Sequence, residues 1–255
     1  MNTSSFQRFL GVFRNLQATV FAVAATMGAA AMEGSGNFVS DHFSTSAGKL
    51  EIVFIGHSTL AMQVGSLKIH IDPQSRYTDY SRWEKADLIL ITHEHADHLD
   101  LKAISSLSGP QTRIITSKAV RDKIGMGEVL EHGKSLAQGP LSVTAFPAYN
   151  ITNGREMYHP KSRLDNGYIL ALGGLRVYVA GDTENIPEMA SLDSIDVAFL
   201  PMNQPFTMTV PQVAEAVRAF KPKIVYPYHY SSTDPRELVR LLEKDTYTEV
   251  RIRKM

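Results

Sequence analysis

The sequence of 255 residues contains no cysteine. This absence excludes disulfide bonds, thiolate metal sites and a cysteine nucleophile, so any metal ion must be bound by histidine, aspartate, glutamate or asparagine. It also excludes a lipid anchor attached to cysteine. A chain without cysteine suits an oxidising compartment.

The chain also lacks an excess of charge of either sign, because 26 lysine and arginine residues balance 26 aspartate and glutamate residues. A nucleic-acid partner is not expected, since proteins that bind nucleic acids usually present a basic surface. The apolar fraction of 44% is that of an ordinary globular protein. The sequence leaves the oligomeric state open.

Acidic residues are absent from the first 32 positions, where Arg8 and Arg14 are the only charged side chains. An apolar stretch at residues 16–32 follows the two arginines and ends in small residues. A basic, then apolar, then small-residue sequence is typical of a secretory signal peptide, which we place at residues 1–31. The alternative is an uncleaved membrane anchor, but so short and alanine-rich a run is marginal for spanning a bilayer. We predict export, to the periplasm in a cell with two membranes, and no stable membrane insertion after the signal is removed.

Residues 32–48 are polar and rich in glycine and serine, which predicts a linker, and residues 49–255 form the predicted domain. Strands are predicted at residues 50–55, 60–64, 67–71, 88–91, 113–116, 141–146, 168–172, 176–180, 197–201, 224–228 and 249–252. Helices are predicted at residues 99–107, 117–124, 211–220 and 235–243. Each half of the domain begins with hairpins and continues with strand–helix units. This order predicts an α/β fold of two mixed sheets packed together with helices outside.

The stretch ITHEHADHLD, residues 91–100, places three histidines and three acidic residues directly after a buried strand. If that strand continues, His93 and His95 point to the same side. Asp97 and His98 then fall where the next helix begins, at the carboxyl end of the strand, where open α/β sheets place their sites. A solvated loop of this composition is the alternative, but the pattern H-x-H-x-D-H favours a metal site. Because adjacent Asp97 and His98 point in different directions, the segment could serve two ions.

This motif resembles the signature of the metallo-β-lactamase superfamily of hydrolases, and the resemblance extends from about residue 49 to residue 255. The segment VYVAGDT places Asp182 at a strand end, similar to the aspartate that bridges two ions in the family. The segment IVYPYHY places His229 where the family has its last histidine ligand. The segment FIGHST around His57 is similar to the branch that includes ascorbate-phosphate lactonases and N-acylphosphatidylethanolamine phospholipases. The resemblance implies a four-layer αββα sandwich.

One position departs from the family pattern. The family supplies a histidine from the strand end between the first motif and Asp182, and here the corresponding segment TAFPAYNITNG has Asn150. Asparagine can bind a metal ion through its carbonyl oxygen, but more weakly than imidazole. His159, in MYHP, is close enough in the chain to replace the missing histidine. The sequence leaves both possibilities open.

The resemblance implies a metal-dependent hydrolase with one or two divalent ions. One site would use His93 and His95 with either Asn150 or His159, and a second would use Asp97, His98 and His229, with Asp182 bridging. Ligands of this kind suit Zn²⁺, and also Mn²⁺ or Fe²⁺. Asp97 is also a candidate catalytic group that accepts a hydrogen bond from a metal-activated hydroxide, and His57 is a candidate pocket residue that hydrogen-bonds there. Asp72, at a strand end, could orient a ligating histidine.

The substrate class follows only from the resemblance, since the same fold hosts several chemistries. The lactonase and phospholipase branch implies a lactone, an amide-like or a phosphoester bond in a small molecule. Two alternatives remain: a metal-binding protein with little turnover, and a diiron oxidoreductase. The oxidoreductase branch usually carries an extra acidic ligand in the first motif, where this chain has Glu94.

Overall fold

The computed structural model describes residues 32, 34–36 and 38–255. The predicted signal peptide, residues 1–31, lies outside these described residues. Within them, no helix combines the length and the apolar character that crossing a membrane requires.

The first half of the domain forms a mixed sheet of seven strands that lie side by side in chain order. Its strands are β1 (Val39–Thr45), β2 (Gly48–Gly56), β3 (Thr59–Val64), β4 (Leu67–Ile71), β5 (Leu88–Ile91), β6 (Arg113–Thr116) and β7 (Glu128–Val129). The pairs from β1 to β4 are antiparallel and the pairs from β4 to β7 are parallel. Hairpins therefore come first and crossover connections follow, as the sequence predicts.

The second half repeats this plan with a second sheet of seven strands. Its strands are β8 (Ser135–Gln138), β9 (Leu141–Ala148), β10 (Asp165–Leu172), β11 (Leu175–Val179), β12 (Val197–Pro201), β13 (Ile224–Tyr228) and β14 (Glu249–Val250). The pairs from β8 to β11 are antiparallel, and the pairs from β11 to β14 are parallel. The two halves thus present equivalent strand ends to the same region.

The sheets pack face to face, and helices cover their outer faces. Along β2, Phe54 packs into the core between the sheets, whereas Val53 packs outward. This alternation is the two-residue period of a strand that is buried on both sides. The helices are α1 (Leu101–Leu107), α2 (Lys118–Ile124), α3 (Val210–Phe220) and α4 (Arg236–Leu241). The four-layer αββα sandwich is confirmed.

The linker predicted at residues 32–48 is wrong for Val39–Thr45, which form strand β1 and pair with β2 from end to end. Strands β7 and β8 are also missing from the prediction. All three lie at a sheet edge, where a strand needs few apolar residues because one side has no neighbouring strand. Their polar composition therefore resembles that of a loop.

Candidate metal centre

Histidine and aspartate side chains converge where strands of both sheets end. Asp72 follows β4, the ITHEHADHLD segment continues from β5, Asp182 lies just beyond β11, and His229 follows β13. His57 lies in the turn between β2 and β3, and the backbone N–H of His229 donates to its carbonyl at 3.0 Å. Parallel strands bring these residues together because their carboxyl ends share one edge of the sheet.

A first group consists of His93, His95 and His159, each of which offers a ligand atom within 4.8 Å of the others. His159 reaches it from the long connection between β9 and β10. Asn150 starts the same connection, and its amide nitrogen donates to the carbonyls of Arg155 at 3.1 Å and Phe206 at 2.8 Å. Its backbone N–H donates to the carbonyl of His159 at 2.8 Å. Asn150 therefore holds the loop that carries His159.

A second group consists of His57, Asp97, His98 and His229, again with ligand atoms within 4.8 Å of one another. Asp97 Oδ2 lies 3.2 Å from Nε2 of His57 and 3.4 Å from Nε2 of His229. His57 and His229 both have left-handed backbone conformations, with φ of 56° and 46°. These conformations turn the chain sharply at the strand ends and aim both rings at Asp97.

Asp182 lies between the two groups. Its Oδ2 atom is 3.4 Å from Nε2 of His159 and 3.4 Å from Nε2 of His229, and its Oδ1 atom is 3.4 Å from Nε2 of His98. Two ligands about 2.05 Å from one tetrahedral ion are about 3.3 to 3.4 Å apart. The distances are therefore those of ligands that share an ion.

Several of these polar atoms are buried and have no hydrogen-bond partner among the described residues. They are Nε2 of His93, Nε2 of His98, both ring nitrogens of His229 and Oδ1 of Asp182. A buried polar atom left unpaired costs about 1 to 3 kcal/mol, so such a cluster is unfavourable without a ligand. A divalent cation would satisfy the Nε2 lone pairs and the carboxylate oxygen at once, and the residues present fit it.

Asp72 fixes which nitrogen of two histidines faces the centre. Its Oδ2 atom is 2.7 Å from Nδ1 of His98 and accepts from the Thr92 hydroxyl at 2.6 Å. The Thr92 hydroxyl oxygen is in turn 3.0 Å from Nδ1 of His93. Because a carboxylate only accepts, these chains put the protons of His93 and His98 on Nδ1. Both Nε2 atoms are then free to bind an ion, an arrangement common around metal sites.

The electrostatics of the centre also favour a cation. Burial disfavours the charged form of His98, but Asp182 and Asp72 outweigh it and raise the pKa of His98 well above its ordinary value. Burial would raise the pKa of Asp182, yet His229 and His98 hold it well below the usual range. A buried carboxylate that is held in its charged form, beside an imidazole that is stabilised in its own, favours a cation at this position.

Arg163 and Asp165 contact the first group, and no local pattern in the sequence singles them out. Asp165 is buried and binds the Arg163 guanidinium, which lies 2.9 Å from Nε2 of His95 and 3.0 Å from Nδ1 of His159. Burial, His159 and Arg163 lower the pKa of His95 to about 4, so the ring is neutral at neutral pH. Because a guanidinium only donates, Arg163 donates to Nε2 of His95 and to Nδ1 of His159, so ligation through Nε2 of His159 requires that Nδ1 take a proton and Arg163 turn away from it.

A buried ion pair anchors the His159 loop to the segment after β11. Glu184 is fully buried, accepts from the backbone N–H groups of Ile151 at 2.8 Å and Thr152 at 2.6 Å, and pairs with Arg155. Arg155 also donates to Gln204 at 2.8 Å, so the pair links the loop to the segment after β12.

Replacing Arg155 with methionine is expected to lower the free energy of unfolding by about 3 kcal/mol, because it leaves the Glu184 carboxylate buried without its cation. Chemical denaturation of the metal-free protein measures this. Lys118→Met is the matched control, since its pair with Asp122 is exposed on α2 and contributes little. Equal effects of the two substitutions would contradict the anchoring role of Arg155.

A cavity of about 340 Å³ opens onto the centre. One side is formed by the candidate ligands, including His95, Asp97 and Asp182. The rest of the lining consists largely of aromatic and apolar side chains, Met157, Tyr158 and Phe206, together with Asn203. The rings of Tyr158 and Phe206 meet edge to face with centroids 4.9 Å apart. A small molecule can therefore reach the centre alongside an apolar wall.

The family model described as "Beta-lactamase superfamily domain" matches residues 51–229. The chain belongs to the β-lactamase superfamily. The prediction made from its motifs is confirmed at this level, and the narrower resemblance to the lactonase and phospholipase branch stays a prediction.

Relatives of this superfamily member include a "UPF0173 metal-dependent hydrolase" of Pelotomaculum thermopropionicum, 30% identical over 222 residues that cover 80% of this chain and 96% of the relative. A crystal structure from Parabacteroides distasonis, also named for a metal-dependent hydrolase, is 51% identical, with a TM-score of 0.83, and covers 86% of this chain and 99% of that one. CmlA, a diiron beta-hydroxylase of Streptomyces venezuelae, is 19% identical with a TM-score of 0.63 and covers 79% of this chain and 52% of its own. The likeness to CmlA is one of fold alone.

Proposed function

We propose that this β-lactamase superfamily member is a metal-dependent hydrolase whose centre holds two divalent ions, with Zn²⁺ the favoured metal. The observation that carries the proposal is the convergence of unpaired buried histidine nitrogens on the Asp182 carboxylate. The names of its relatives as metal-dependent hydrolases support it. We assign His93, His95 and His159 to one ion and Asp97, His98 and His229 to the other, with Asp182 shared.

When bound, the ions would supply Lewis acidity towards the substrate and lower the pKa of a coordinated water. The chain itself orients the reacting groups. Asp97 is 36% exposed in its side chain and lines the cavity, so it can accept a hydrogen bond from a nucleophile that enters there. Burial lowers the pKa of His57. A neutral His57 at 3.2 Å from Asp97 can donate a hydrogen bond that fixes the carboxylate.

We propose a small molecule with a lactone, amide-like or phosphoester bond as the substrate. The wall formed by Met157, Tyr158 and Phe206 favours a substrate with an apolar or ring-shaped group next to the bond that is cleaved. We also propose that residues 1–31 direct export, so that the enzyme works outside the cytoplasm.

Metal removal tests the proposal. Protein purified without added metal is assayed on lactone, amide and phosphodiester substrates before and after dialysis against a chelator, and again after Zn²⁺, Mn²⁺ or Fe²⁺ is returned. We expect hydrolysis of at least one class to fall more than about 100-fold and to be restored by metal, given what metal-activated water contributes. Hydrolysis that survives chelation unchanged would contradict the proposal. Iron-loaded protein that consumes oxygen and hydrolyses nothing would instead support the oxidoreductase.

A further inference from the structure

Glu51 is a carboxylate in an apolar layer. It lies on the same face of β2 as Val53 and Ile55, which pack in the cluster between the first sheet and α1. The residue is 9% exposed. Its hydrogen-bond partner is the backbone N–H of Met32, 3.3 Å from Oε2, and no lysine, arginine or histidine of the described residues pairs with it.

Met32 is firmly docked beside this carboxylate. Its side chain is 3% exposed in the same cluster, and its carbonyl accepts from the backbone N–H of Ser35 at 3.0 Å and from the Ser35 hydroxyl at 2.5 Å. Gly34 passes so close to the Trp83 ring that a Cβ atom would lie 2.7 Å from it. Its φ of 94° also favours glycine. The turn from residue 32 to residue 35 is therefore built into the domain.

We propose that proteolytic removal of residues 1–31 places the new α-ammonium group of Met32 on the Glu51 carboxylate, completing a buried ion pair that the precursor lacks. The step is hydrolysis of the peptide bond between Ala31 and Met32. Water gives its oxygen to the Ala31 carboxylate and both of its protons to the Met32 nitrogen, which becomes the ammonium group. The inference rests on the proposed export signal and is independent of the metal chemistry.

The position of Met32 makes the pairing specific to this bond. The nitrogen that becomes the ammonium is already 3.3 Å from the carboxylate, so no rearrangement is needed. An ammonium carries a full charge and three donors, whereas an amide offers one donor, and charge-assisted hydrogen bonds are about twice as strong as neutral ones. Cleavage one residue earlier would move the amine about 3.8 Å along the chain, away from Glu51.

The test compares chains that start at Met32 with chains that start at Ala31, in wild type and in Glu51→Gln. The first is expressed with Met32 as its initiator, and the second is released from a cleavable tag. We expect the Met32 chain to melt about 2 to 4 °C higher, the shift that roughly 1 kcal/mol produces in a domain of this size. The difference should vanish in Glu51→Gln. Equal melting temperatures of the two wild-type chains would overturn the proposal.

Two further measurements keep the proposal testable if Glu51→Gln does not fold. Acetylation of the Met32 amine removes its charge without touching Glu51 and should lower the melting temperature to that of the Ala31 chain. In addition, the full chain is expressed in a bacterium with two membranes, and the mass of the exported protein is measured. A first residue of Met32 supports the inference, and any other first residue, or an uncleaved chain, overturns it.

Discussion

Asp182→Asn is expected to lower turnover by more than about 100-fold, beyond the 10- to 100-fold that loss of an outer partner of a metal ligand costs. The carboxylate lies 3.4 Å from histidine nitrogens of both groups, so both ions lose a charged ligand at once. Asparagine keeps the shape but brings a neutral oxygen, which binds divalent ions more weakly. We therefore also expect fewer ions per chain after dialysis.

Steady-state kinetics and elemental analysis on the same preparation measure both effects. Asp193→Asn is the matched control, because Asp193 is exposed and makes the same chemical change far from the candidate ligands. It should behave as wild type. A full complement of metal together with wild-type turnover in Asp182→Asn would rule out a bridging role for this carboxylate.

His159→Ala is expected to reduce the metal content from two ions per chain to about one. His159 completes the group with His93 and His95, and His98 and His229 are untouched by the substitution. One ion alone cannot provide the two-ion arrangement. Hydrolysis should therefore fall by at least the 10- to 100-fold that loss of a residue hydrogen-bonded to a metal ligand costs. Metal content is measured by elemental analysis after dialysis against metal-free buffer.

Asn150→Ala separates the two candidates for the missing histidine. Asn150 uses its amide to hold the backbone of the loop, so its loss should lower stability while two ions still bind at saturating metal. His42→Ala, on exposed strand β1, is the neutral control. If Asn150→Ala lost an ion and His159→Ala kept two, the assignment of ligands to the first site would have to be reversed.

The sequence predicts those site residues that lie in short motifs directly after a strand. The ITHEHADHLD segment, Asp182 and His229 each follow an apolar strand, and parallel strands necessarily bring such ends together. Asp72 was predicted to orient a histidine, and its 2.7 Å contact with His98 has that geometry. The sequence also predicts the helices and the inner strands. The inner strands are recognisable because burial on both faces requires continuous apolar runs.

The remaining parts depend on contacts that no local pattern encodes. His159 reaches the centre only because the loop after β9 is tied down by Asn150 and Glu184. The contact of Arg163 with two histidines depends on the same loop. The polar composition of edge strand β1 predicts a linker, because half of an edge strand can be polar without loss of pairing.

The most direct measurement is a crystal structure of the metal-loaded protein with anomalous diffraction recorded at the absorption edge of the bound metal. The account predicts two ions. One should lie about 2.0 to 2.2 Å from nitrogens of His93, His95 and His159, and the other at the same distance from His98, His229 and Asp97, with Asp182 reaching both. A single ion, or two ions of which neither contacts Asp182, would contradict it.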